Sequence, residues 1–193
     1  MPVTALRLYL LFGLIAHKVL WELMKRRLEP GAPAGGRVAA PLPVRLVKVA
    51  KVGILLGIVT QTLLPDILPI SASPGLLQFA GVVLYTIGLS LAMAGRFQLG
   101  DNWLDIENAA VKRQQAVVSK GLYRYIRHPI YSGDLIMLFG LELALNSWLV
   151  VLVFALAAAV YRQAVREEGL LLDRLPGYDM YCGATKRFIP FVL

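Results

Sequence analysis

Long apolar runs alternate along this chain with shorter polar or basic connections, and most of the runs have the length of a membrane helix. The first, from about Ala5 to Met24, is interrupted by His17, Lys18 and Glu22 only near its second end, where such side chains can reach an interface. Its basic residues follow the apolar run, the reverse of a signal peptide. Glu29 to Pro43, rich in Gly, Pro and Ala, reads as a loop. A second run spans about Val44 to Leu64, where Gly53 and Gly57 predict a close helix approach, and Pro65 and Pro69 end it.

Gly75 to Gly95 carries no charge and is the clearest span, with Gly81, Gly88 and Gly95 aligned on one face as a packing seam. The polar stretch from Arg96 to Arg127 reads as an ordered loop holding a short strand at Ala116 to Ser119. Ile130 to Leu145 and Trp148 to Tyr161, separated by Asn146 and Ser147, predict a helical hairpin whose second arm continues through Arg162 to Leu172. A helix start is expected at Pro129, because the first turn needs no N–H from that residue, which puts His128 near the N-cap.

Composition agrees: 58% of the 193 residues are hydrophobic, and the mean hydropathy is +0.64, well above a soluble domain. The expectation is an all-α integral membrane protein of five transmembrane helices with a C-terminal helical hairpin. Residues 1–193 form one membrane domain, with 1–95 as a three-helix scaffold and 96–193 as the cofactor-binding and catalytic half. One Cys and two His give neither a disulfide nor a metal constellation.

The net charge of +8 changes the picture through its placement. Lys and Arg crowd the first loop, the 96–127 stretch and the segment after Tyr161, while Asp66 to Pro74 and Asn146-Ser147 have none. That asymmetry predicts the N-terminus outside, the C-terminus cytoplasmic, and contact with anionic membrane lipids rather than nucleic acid.

Candidate chemistry gathers where the hairpin returns to the inner surface. Tyr123, Arg124, Arg127, His128, Tyr131 and Asp134 lie on one side, and Arg162, Arg166, Glu167 and Glu168 on the other. The helix N-terminus after Pro129 suits a carboxylate or phosphate. Glu142, one turn from the hairpin tip, is expected at the outer interface. Tyr178, Tyr181 and the tail Lys186-Arg187-Phe188-Ile189-Pro190 are expected to cover the site, with Cys182 as a packing residue.

Several motifs in order resemble the isoprenylcysteine carboxyl methyltransferase family and its phospholipid methyltransferase relatives. They are Arg96-x-x-Leu99-Gly100-x-Asn102-Trp103, Gln115-Ala116-Val117-Val118-x-x-Gly121-x-Tyr123, Arg127-His128-Pro129-x-Tyr131-x-Gly133, Glu167-Glu168-x-x-Leu171, Tyr178-x-x-Tyr181 and Arg187-Phe188-Ile189-Pro190. The resemblance covers about half the chain. It implies a membrane methyltransferase that takes S-adenosylmethionine from the cytosol and a lipophilic or small acceptor, a carboxylate, thiol or amine, at the cytoplasmic interface. Carried over residue by residue, it implies a cofactor site of Gln115, Ala116, Val117, Val118, Tyr123, His128, Pro129, Ile130, Tyr131 and Glu167.

In the carboxyl methyltransferase pattern an Arg four residues before the first Glu holds the acceptor, and here Arg162 and Arg166 flank that position; Glu168, Asp134 and His128 are candidates for a base should an amine or thiol acceptor need one, with Arg162 and Glu168 the expected catalytic residues. Two departures stand out. Gln163 occupies the position where the carboxyl methyltransferase pattern has Arg, and Gln115 stands where His is frequent. A nicotinamide-dependent membrane reductase and a non-catalytic membrane scaffold are the alternatives from other classes.

Overall fold

A computed structural model describes residues 3–28, 42–64, 67–102 and 116–192. The helices among them are, in order, α1 (Val3–Leu28), α2 (Leu42–Leu63), α3 (Gly75–Leu99), α4 (Pro129–Ala144), α5 (Val150–Arg174) and α6 (Tyr178–Ala184), with short 3₁₀ turns at Gly100–Asn102 and Gly121–Arg124. The chain divides into two compact units, Met1–Ile67 and Leu68–Leu193. Among the described residues, two helices, α1 over Val3–Met24 and α3, are long and apolar enough to cross a membrane.

In the first unit the Arg7 guanidinium donates to the Leu64 carbonyl, tying the start of α1 to the end of α2. Leu6, Leu10 and Leu14 form a buried stripe at helical spacing on α1. Gly53 and Gly57, which permit a close helix approach, have nothing among the described residues within 4 Å of where a Cβ would project.

The second unit is built on an antiparallel crossing of α3 and α4 in which backbone meets backbone. A Cβ at Gly81 would strike Ala144, one at Gly88 would strike Met137, and one at Gly140 would strike Tyr85, while Gly133 faces Ala92 in the same way. The glycine seam foreseen on α3 is thus met by a second one on α4, and the missing side chains let the two axes close up. The opposite face of α3, with Leu76, Phe79, Val83 and Ile87, is exposed, as are Val151, Leu152 and Phe154 on α5. Apolar residues outside and glycine inside are the arrangement that hydrocarbon surroundings favour.

α4 begins at Pro129 and the hairpin turns at Asn146, both as the sequence predicts. At this tip Asn146 takes a left-handed conformation, φ 56°, and is almost fully buried. Its amide oxygen accepts from Ser71 N at 3.0 Å, its amide nitrogen donates to Ser71 O at 2.8 Å, and its carbonyl accepts from Ile70 N at 3.0 Å. Asn and Asp side chains tolerate this conformation better than other non-Gly residues, so one residue both turns the hairpin and ties down the 68–71 connection. Glu142, one turn from the hairpin tip, is enclosed by protein, 6% exposed. No strand forms at 116–119; the segment is irregular, held by Ala116 N donating to Asn102 Oδ1 at 2.8 Å.

Candidate functional site

Three segments converge at the start of α4. Residues 125–128 lead into it, the polar continuation of α5 lies beside it, and residues 185–188 return from α6. The returning segment pairs with the first: Arg127 N donates to Lys186 O at 2.8 Å, His128 N to Arg187 O at 3.1 Å, and Lys186 N to Tyr125 O at 3.1 Å. Ser132 Oγ adds a tie from α4 by donating to Phe188 O at 2.9 Å. The tail expected to cover the site is therefore a hydrogen-bonded strap across its floor.

Glu168 sits at the junction, 5% exposed. Arg127 Nε reaches its Oε1 at 2.8 Å, His128 Nε2 meets the same oxygen at 3.0 Å, and Arg187 forks onto both oxygens, with Nη2 at 2.7 Å from Oε2. Burial alone would push this carboxyl up. Hydrogen bonds from His128, Arg187 and Arg127 outweigh it and hold the group well below the usual carboxylate range. Such a carboxylate is a very weak base. Arg127 is further anchored by donating to the carbonyls of Cys182 and Thr185.

Glu167, its neighbour, is placed differently. Its Oε2 accepts from the Tyr131 hydroxyl at 2.9 Å and lies 4.0 Å from His128 Nδ1. No guanidinium bonds it among the described residues, and burial pushes its carboxyl up from the ordinary value despite opposing help from His128 and Tyr131. The His128 and Tyr131 rings stack above it, centroids 5.3 Å apart and 7° from parallel. Of two adjacent glutamates, one is saturated by cations and the other retains accepting capacity.

The remaining predicted residues fall into three groups. Tyr123 is buried and donates to Gly95 O at 3.3 Å, while Tyr181 donates to Tyr123 O at 2.8 Å. Burial pushes both phenols far up, so they remain donors at neutral pH. Val117 packs with Cys182 against Leu171, Leu175, Tyr178 and Tyr181. Val118 is half-buried and Ala116 exposed, and Gln115 lies outside the described residues. Pro129 is buried at the first position of α4, whose N-terminus the His128 side chain does not cap, and Ile130 turns toward Gly95 on α3.

Arg162 is exposed, about 120° around α5 from Glu168, and so lies on a different face from the glutamate pair. Asp134 is half-buried on α4. Three features escaped the sequence reading: the pairing of 125–128 with 185–187, the dual-arginine clasp on Glu168, and the near-complete burial of Arg96. Only the sequence position of the Arg187-Phe188-Ile189-Pro190 element hinted at the first two, because a bridge between distant segments has no local periodicity.

The donor and acceptor set fits S-adenosylmethionine. A half-buried glutamate with open accepting capacity suits an ammonium or ribose hydroxyls, the uncapped start of α4 suits a carboxylate, and the half-buried Val117 and Val118 suit an adenine face.

The family model described as phospholipid methyltransferase matches residues 76–175. The cobalt-zinc-cadmium resistance protein CzcN of Cupriavidus metallidurans is 31% identical over 106 residues, which make up 54% of this chain and 46% of that protein. The chain thus spans about half the length of the curated relative it matches. Its fold is similar to the eukaryotic intramembrane Ras methyltransferase ICMT, the isoprenylcysteine carboxyl methyltransferase. The TM-score is 0.61 at 18% identity, over 97% of this chain and 68% of that one.

Proposed function

The chain belongs to the phospholipid methyltransferase family, and on that premise we propose that it is an integral membrane methyltransferase, dependent on S-adenosylmethionine. In this reading five helices span the bilayer, the site faces the cytoplasm, and a lipophilic or small acceptor arrives from the membrane. The observation that carries it is the asymmetry of Glu167 and Glu168. A fully paired, buried Glu168 builds the site, and a half-buried, weakly paired Glu167 receives the ligand.

When bound, the cofactor supplies an electrophilic methyl group on a sulfonium. The chain's contribution is position and exclusion of water. The Tyr131 hydroxyl aims the Glu167 carboxylate, the first turn of α4 presents its amides and positive dipole end, and the stacked His128 and Tyr131 rings form an apolar wall. We assign Glu168 a positioning role, because a carboxylate held this strongly in its charged form does not accept a proton from an acceptor. Arg162, exposed on another face of α5, is assigned to the charged head of an approaching acceptor or lipid, not to the methyl-transfer centre.

The test is calorimetric binding of S-adenosylmethionine, S-adenosylhomocysteine and NADPH to detergent-purified protein. The expected result is binding of the two adenosyl compounds, lost on Glu167→Ala and His128→Ala in folded protein. Binding of NADPH alone would move the reading to a reductase, and binding of none would leave a scaffold.

A further inference from the structure

The strap does more than close the floor of the site. It crosses beside 125–128 and brings one charged side chain, Arg187, into the interior. Its Nε lies 3.0 Å from Glu168 Oε1 and 3.1 Å from Oε2, and its Nη2 lies 2.7 Å from Oε2. The guanidinium is gripped from the other side by Tyr161, whose ring centroid is 5.3 Å away and whose hydroxyl accepts from Nη1 at 3.1 Å. The next strap residue, Phe188, sets its ring 5.6 Å from the His128 imidazole.

His128 Nε2 meets the same Glu168 oxygen that Arg187 and Arg127 contact. The orientation of the imidazole is therefore fixed by a carboxylate that is itself fixed by two guanidiniums. Arg127 is the neighbour of His128 in sequence and arrives with it. Arg187 comes from the strap, so the second half of the clasp forms only when the strap is seated. A forked guanidinium restricts both translation and rotation of a carboxylate, which a point charge does not.

We propose that Arg187 is a positioning residue for the cofactor site: seated on the strap, it orients Glu168 and through it His128, so that the wall facing Glu167 is complete only with the strap in place. This rests on the reading of the site as an adenosyl-compound pocket. Release of the strap then opens the pocket for exchange, and reseating restores the His128 orientation.

The experiment uses the full chain in detergent, labelled with ring-¹⁵N histidine, with S-adenosylhomocysteine as the probe ligand. The chain has two histidines, and His17 on α1 serves as an internal reference. Arg187→Gln should shift the His128 ring signals, leave those of His17 in place, weaken S-adenosylhomocysteine about tenfold and speed its dissociation. Arg187→Lys, which restores the charge without the fork, should recover part of the loss.

If Arg187→Gln does not fold, Ser132→Ala decides, since it spares the clasp and removes the hydroxyl that holds the Phe188 carbonyl. It should shift the same His128 signals less and speed dissociation less. Unmoved His128 signals in the folded variant, or dissociation constants within about twofold of wild type, would overturn the proposal. The His128 signals are read without ligand. A wild-type protein that binds no adenosyl compound would thus reject the proposed function, while the Arg187-to-His128 link would still stand or fall on those signals.

Discussion

Replacing Gly88 with Ala tests whether the α3–α4 crossing holds the site in place. The added Cβ would press on the Met137 amide nitrogen and lie 2.7 Å from both Gly133 O and Met137 Cα. All three are backbone atoms, so no side chain can swing away. Ordinary carbon contacts begin at about 3.5 Å, so the helices must part locally by roughly 1 Å, which forfeits a quarter to a half of the dispersion attraction along the opened stretch. Overpacking of this kind costs about 1–3 kcal/mol. Taking about 2 kcal/mol and a chain of this size, the melting temperature should fall by about 4–8 °C.

The comparison set is graded. Gly95→Ala meets Ile130 Cγ1 at 3.1 Å and, at 3.3 Å, both Pro129 Cγ and the Ile130 backbone nitrogen, so a shift of a few tenths of an ångström relieves it, and Gly53→Ala meets nothing within 4 Å. The expected order of stability is Gly53→Ala, then Gly95→Ala, then Gly88→Ala. Thermal unfolding followed with a thiol-reactive dye reads it directly, because Cys182 is the single cysteine and is only partly accessible. A Gly88→Ala protein melting with or above Gly53→Ala would refute the reasoning that the seam is close-packed.

The hairpin tip offers a second prediction: Asn146→Ala loses two side-chain hydrogen bonds and places an alanine at φ 56°. It should cost about 2–4 kcal/mol, with Asn146→Gly recovering the backbone part in the same melting assay. Glu168 predicts a pH dependence. Its folded-state carboxyl is depressed below the ordinary 4.5, so its stabilisation is fully present above about pH 4.5 and is withdrawn as pH falls below that value. Glu168→Gln should flatten that acid limb of stability, and an unchanged limb would mean that the clasp contributes nothing. Glu167 is shifted the opposite way, so binding of an adenosyl compound should weaken as pH falls toward and below its raised value, a dependence that Glu167→Gln removes from calorimetric titrations. Arg162→Ala should leave S-adenosylhomocysteine affinity unchanged and affect only the acceptor's apparent KM, measured by methyl transfer.

The parts of the fold that depend on local pattern were readable in advance. Pro129 marks the start of α4, Asn146-Ser147 the hairpin tip, and the Gly81, Gly88, Gly95 seam the packing face of α3, because each is set by a residue's own backbone or its helical spacing. The meeting of His128 with Glu168 followed from antiparallel geometry alone. The different fates of Glu167 and Glu168 could not be read, since they depend on which guanidinium reaches which carboxylate across a gap of 19 or 41 residues. Gly53 and Gly57 show the limit of such a pattern: a small-residue pair permits a close approach but does not say which partner fills it. The strand expected at 116–119 failed because alternation in so short a segment needs a neighbouring strand, and none is present among the described residues.

The strap also sets an order on biosynthesis. The tie between Ser71 and Asn146 joins residues 75 apart and can form once the α4–α5 turn has emerged. The tie between Arg127 and Thr185 joins residues 58 apart but waits for the segment that follows α6. At about 5–20 residues per second, a nascent chain with its helices already inserted spends seconds without a finished pocket. Ribosome-stalled or prematurely terminated products lacking 185–188 would keep the α3–α4 glycine seam and lack the Arg187 half of the clasp on Glu168.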